Sequence, residues 1–316
     1  MVRSKFGVSR MFLLIGTLAM LLMLSSCTQI SAGENPDQSA NSLAAAQTGS
    51  RGVEVSFVSG FPQSTIYDIS DFVAILEVYN KGNHDLVASD CYLQITGFDP
   101  NIIRGIDYVQ SCGQVDGKSV YNLDGGWNQV EYMSTSITIP EGSYEYEPSL
   151  NLVWCYAYET QASASICVDP LFYQVTSEQK ACEPRDVSMG GGQGGPVGVS
   201  YVGVDMVGDV AIFEITVRNL GSGRVLSPLT DISNCGSSTL EYSDLDIVHF
   251  TADMTGGNLI DCTPSDGKIR LSNDVGKAVC KFRITGTSAY ETPLQIELDY
   301  NYIENTKKSV QIIETP

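Results

Sequence analysis

The chain has 316 residues, with 37 acidic against 18 basic side chains for a net charge of −19, and it is rich in glycine (30) and tyrosine (16). Such a surface repels phosphate backbones and anionic headgroups, which disfavours nucleic-acid binding and electrostatic adsorption to membranes. The length exceeds one small sandwich and accommodates two of roughly 100 to 130 residues.

In chain order, the first predicted element is an export leader. Arg3, Lys5 and Arg10 precede an apolar run from Met11 to Leu24 that has the length of a signal-peptide core and falls short of the roughly 20 residues needed to span a bilayer. The run ends in Leu24-Ser25-Ser26-Cys27, which resembles the lipobox of prokaryotic lipoproteins. That resemblance implies cleavage after residue 26, lipidation of Cys27 and a mature protein held on the outer face of the cell membrane by its lipid anchor. Loss of residues 1–26 removes three bases and no acid, leaving 15 bases against 37 acids, a net −22. Residues 27–50, rich in Ser, Ala, Gln, Asn and Gly, are expected to form a disordered tether.

Beyond residue 50 the sequence reads as strands and turns, and it repeats itself. Ala74-Ile75-Leu76-Glu77-Val78-Tyr79-Asn80-Lys81-Gly82 matches Phe213-Glu214-Ile215-Thr216-Val217-Arg218-Asn219-Leu220-Gly221. Each is an alternating strand running into an Asn-x-Gly turn, where glycine tolerates positive φ. Later, Leu150, Leu152, Trp154, Tyr156 and Tyr158 match Leu294, Ile296, Leu298, Tyr300 and Tyr302, and Ile166 and Val168 match Val310 and Ile312. The predicted fold is therefore all-β: two tandem immunoglobulin-like antiparallel β-sandwiches over 51–186 and 197–316, after the signal peptide and tether. Residues 187–196, with Gly190-Gly191-Gly192-Gln193-Gly194-Gly195-Pro196, read as a glycine-rich linker and lack the Lys-Ser/Thr of a phosphate loop.

Apart from Cys27, the cysteines are Cys91, Cys112, Cys155, Cys167, Cys182, Cys235, Cys262 and Cys280, an even set suited to four disulfides in an oxidising compartment. No two have Cys-x-x-Cys spacing, so zinc and redox motifs lack support. A hairpin turning at Gln161 would set Cys155 opposite Cys167, on the outer face of its sheet, and a second strand-turn-strand pairs Cys262 with Cys280. Cys91 with Cys112 and Cys182 with Cys235 follow by elimination.

The search for chemistry finds no Gly-x-Ser-x-Gly elbow and only two histidines, His84 in a polar loop and His249 in a strand, both read as structural. Glu145 with Glu147 and Asp244 with Asp246 alternate along strands or turns and read as solvated faces, outside any EF-hand spacing; calcium at the domain junction stays open. No Asn-x-Ser/Thr sequon occurs. Trp154 belongs to the core series. Trp127 sits in turn-rich Asp124-Gly125-Gly126-Trp127-Asn128, where its ring either folds back over the sandwich end, the preferred reading, or stacks on a sugar.

The alternating strand with its Asn-x-Gly turn, present twice, resembles the opening of CARDB-like and related immunoglobulin-like domains of prokaryotic, especially archaeal, cell-surface proteins. That resemblance implies adhesion, scaffolding or spacing. The function expected is a non-enzymatic adhesion or structural module that presents two domains to a surface protein partner, without cofactor or metal. The alternative is a carbohydrate-binding surface module using Trp127.

Overall fold

The computed structural model describes residues 36–174, 179–234, 236 and 239–315. The fold belongs to Asn41–Pro316, a unit separate from Met1–Ala40. One helix, α1 (Pro36–Ala46), falls where a structureless tether was expected. Leu43-Ala44-Ala45-Ala46 are strong helix formers, Pro36 suits a first helical position, and Ala46 is buried. Leader residues 1–26 and Cys27 lie outside the described residues.

The first half contributes β1 (Val53–Phe57), β2 (Thr65–Tyr67), β3 (Val73–Asn80), β4 (Cys91–Thr96), β5 (Ile103–Arg104), β6 (Val109–Ser111), β7 (Trp127–Met133), β8 (Ser136–Ile137), β9 (Glu145–Tyr146) and β10 (Ser149–Val168). The second contributes β11 (Val187–Ser188), β12 (Val197–Val207), β13 (Val210–Asn219), β14 (Arg224–Leu226), β15 (Ile247–Met254), β16 (Gly257–Thr263), β17 (Lys268–Arg270), β18 (Val275–Ile284), β19 (Tyr290–Ser309) and β20 (Gln311–Ile313). The all-β expectation holds. The repeated motifs occupy matching strands, since β3 is the middle strand of β1-β3-β7 and β13 lies inside β11-β12-β13-β18-β16. In both, alternate residues enter the core: Ala74, Leu76 and Val78, then Phe213, Ile215 and Val217.

The halves are not joined like beads. One seven-stranded sheet runs through both in the order β17-β15-β19-β10-β4-β6, with β14 also on β19. Its centre is an unbroken antiparallel ladder from Ser149↔Ser309 to Val168↔Tyr290. The repeat makes Ala157 the counterpart of Asn301, and these two face each other, so a local twofold axis passes between them. A twofold normal to a sheet keeps both strands' apolar sides on one face, and a single core accordingly runs from Val53 to Ile312. C-terminal β20 then inserts between β2 and β9 of the first half.

Four sequence expectations change. Thr160–Ser163 continue β10 as strand, because Ala162 and Ala164 alternate inward with exposed Gln161 and Ser163; there is no hairpin. Cys155 therefore cannot reach Cys167, which pairs with Cys182, and the Cys182–Cys235 pairing falls with it. Cys155 is itself disulfide-bonded. Its placement on the outer face holds, since it packs with Val153 and Ile232 away from the main core. Cys91–Cys112 and Cys262–Cys280 form as expected, and Cys235 lies outside the described residues.

The expected linker is also packed: Gly192–Pro196 are buried, the backbone of Gly194 bonds that of Gly49, and the Gln193 side chain bonds Val199 at both its N–H and C=O. Finally, Gly82 and Gly221 do not have positive φ. Each instead admits a tyrosine hydroxyl, since a Cβ at Gly82 would lie 1.8 Å from the Tyr158 Oη and one at Gly221 2.5 Å from the Tyr302 Oη. Tyr158 donates to Asn80 Oδ1 (3.2 Å) and Tyr302 to Asn219 Oδ1 (2.8 Å). The backbone N–H groups of His84 and Gly223 donate back to those hydroxyls, while the two asparagine amides donate to the His84 and Gly223 carbonyls. The twice-used Asn-x-Gly motif thus closes two buried tyrosine corners, in which each polar atom has a partner.

Candidate functional site

Inward alternation in β3 and β7 forces the intervening residues outward. Strand register arranges them in rows across the three-stranded sheet: Trp127, Tyr79 and Glu54; then Gln129, Glu77 and Ser56; then Glu131 and Ile75; then Met133 and Val73. Trp127 is 61% exposed, and it begins β7 and does not fold back over the sandwich end. Its ring stacks on Tyr79 with centroids 6.3 Å apart, a favourable offset for two aromatics. Lys81 stands over Tyr79 at 4.6 Å, and its ammonium donates to the Asp124 carbonyl, tying the loop before Trp127 to the strand end. Burial and the neighbouring Glu77 carboxylate, which accepts its hydrogen bond, push the Tyr79 phenol up. The result is a flat ladder Lys81–Tyr79–Trp127 whose outermost ring lies on an edge strand.

The other candidates do not assemble around it. His84 packs edge-on against Tyr158 at 5.3 Å in the first corner. Glu145 and Glu147 both accept from Gln311. Asp244 bonds the Glu241 N–H, and Asp246 pairs with Arg224 at 2.9 Å.

The shared sheet does bring together a group that sequence reasoning missed. Glu159, Glu297 and Asp299 lie on its outer face with carboxylate oxygens all within 4.8 Å of one another, because Glu159 pairs with Asp299 and Gln161 with Glu297. His249 faces Asp299 from β15. Burial first, then Glu159, pushes the Asp299 carboxyl up, opposed by His249 and His84; Glu297 is raised by burial, Glu159 and Asp299. Burial and then Lys268 hold His249 down. A carboxyl raised by folding binds protons more tightly in the native state, so its stabilisation is present at acid pH and is lost as pH rises through the folded pKa. Asp299→Asn is therefore expected to raise the thermal midpoint at pH 7 and to leave it unchanged near pH 4, which thermal melts at the two pH values would check.

The signal for Tyr79 and Glu77 was present, as the complement of the inward series Ala74, Leu76 and Val78. No local pattern gives the register that sets Trp127 beside Tyr79, or Glu159 beside Asp299. Among the described residues no helix is long and apolar enough to cross a membrane. No protein-family model matches the chain, and no curated protein matches it. Among solved structures, the CupB6 tip adhesin from Pseudomonas aeruginosa aligns over 85% of this chain and 99% of its own, at 9% identity and a TM-score of 0.19, a superposition too loose to carry an argument about fold or role.

Proposed function

We propose that this chain is an exported, lipid-anchored surface module that adheres to a partner through the outer face of β3 and β7, and that it performs no chemical turnover. The carrying observation is Trp127, a large aromatic left 61% exposed on a regular strand and braced by Tyr79. Aromatics that fold alone would bury recur at recognition surfaces, where they supply large contact area at low entropic cost. Three described disulfides, Cys91–Cys112, Cys167–Cys182 and Cys262–Cys280, fit an oxidising, extracellular compartment. The lipobox-like Leu24-Ser25-Ser26-Cys27 supports the anchor, and the CARDB-like motif supports the adhesive class.

Trp127→Ala is expected to reduce association of the purified mature protein with envelope fragments about tenfold, a loss typical of one recognition hot spot. The unfolding midpoint should move little, since the mostly exposed ring loses only its stacking on Tyr79. Unchanged association would place the contact elsewhere. The outward ring favours a second reading, in which the partner is a carbohydrate, and a glycan array with no binding would remove it.

A further inference from the structure

From the arrangement of charge beside the aromatic ladder, we infer that the ligand of this face is an amino-sugar polymer carrying free ammonium groups. The inference rests on reading the Trp127 face as the contact surface, and it adds the ligand's chemistry. Along β7, Trp127, Gln129 and Glu131 all point outward in successive rows, about 6.8 Å apart at the rise of an antiparallel strand. Beside them on β3 stand Tyr79, Glu77 and Ile75. A linear chain lying along β7 meets a ring, then an amide flanked by a carboxylate, then a second carboxylate.

The charges select within that geometry. Among the described residues, Arg51 pairs with Glu54, but Glu77 and Glu131 have no Lys or Arg within ion-pair distance. Lys81 is engaged with the Tyr79 ring and the Asp124 carbonyl. Two uncompensated carboxylates on a chain of net charge −19 attract a cationic ligand and repel a uronate or sulfated one. The apolar C–H face of a pyranose packs on the Trp127 ring, and a ring ammonium gains from both the aromatic quadrupole and charge-assisted bonds to Glu77 or Glu131. A basic peptide shares the charge but not the fit. Peptides take affinity from pockets or by adding to open strand edges, whereas here the ring and both carboxylates project from the face of β3 and β7 and not along the edge of β7.

The test is calorimetric titration of the full mature chain with a glucosamine hexamer, its fully N-acetylated counterpart, a neutral glucose hexamer and poly-lysine. The glucosamine hexamer should bind, weakening with added salt, and the N-acetylated hexamer about tenfold more weakly, having lost the ammonium groups. Trp127→Ala should lower affinity about tenfold, and Glu77→Gln with Glu131→Gln should lower it about tenfold and also flatten the salt dependence. Equal binding of the free and N-acetylated hexamers would overturn the inference, as would preference for the glucose hexamer, or poly-lysine binding that Trp127→Ala reduces while the hexamer gives no signal. If no sugar binds yet Trp127→Ala still weakens envelope association, this inference alone falls; if neither responds, the contact surface falls with it.

Discussion

Gly82→Ala should lower the unfolding free energy by about 3 kcal/mol, the upper end of the cost of forcing a methyl into a packed site. The added Cβ would stand 1.8 Å from the Tyr158 hydroxyl and 2.2 Å from the Gly194 carbonyl. Tyr158 cannot move without abandoning Asn80 Oδ1 and the Gly194 carbonyl, both of which it bonds at 3.2 Å. Backbone at Gly194 is fixed by its own bond to Gly49. The second corner provides an internal control. At Gly221 the Cβ meets the Tyr302 hydroxyl at 2.5 Å and the Pro196 side chain only at 3.0 Å, so Gly221→Ala should cost about 2 kcal/mol. Adding Tyr302→Phe should recover only part of that loss, because it removes the obstructing atom but also the acceptor of the Gly223 N–H. Adding Tyr158→Phe to Gly82→Ala should recover little, because the Gly194 carbonyl remains. Urea titrations at constant m-value would measure all four, and a Gly82→Ala variant within about 0.5 kcal/mol of the parent would contradict the corner's role.

These two corners show how much of the molecule is legible in its sequence. Asn80, Gly82, Asn219 and Gly221 were recognisable as a repeated motif, and so were Tyr158 and Tyr302, but nothing local said that one motif closes on the other. Positive φ is the commonest reason for glycine in a turn, whereas the operative reason here is a hydroxyl from a strand about 80 residues away in sequence. Similarly, the small polar run Thr160 to Ser163 has the composition of a turn, yet Ala162 and Ala164 keep the inward alternation going because a partner strand needs them there. Losing that turn altered two disulfides at once. The face of Tyr79 was implied by the alternation, whereas its neighbour Trp127 and the cluster of Glu159, Glu297 and Asp299 depend on register between strands distant in sequence, which composition does not encode.

A fragment of residues 51–186, with Cys155→Ser to prevent thiol cross-linking, should be a dimer, whereas the whole chain should unfold in one transition. Removing the second half strips β19 from β10 and leaves a 20-residue open edge, a long template for another strand. The same fragment also supplies the cure. Because β10 and β19 are repeats facing each other antiparallel about Ala157 and Asn301, a second β10 can take the place of β19 with Ala157 opposite Ala157. Tyr156 then faces Tyr158 of the other copy, reproducing the native Tyr156↔Tyr302 and Tyr158↔Tyr300 pairs across a true twofold. The fragment still lacks β20, which fills the space between β2 and β9, so its dimer should dissociate on dilution and be less stable than the parent. Light scattering across a concentration series would read the dimer. In the intact chain the shared ladder and single core couple the halves, so calorimetric and van't Hoff enthalpies should agree. A monomeric fragment together with two resolved transitions in the whole chain would mean that the sheet through Ala157 and Asn301 joins two domains that are stable separately, and that the twofold carries no energetic weight.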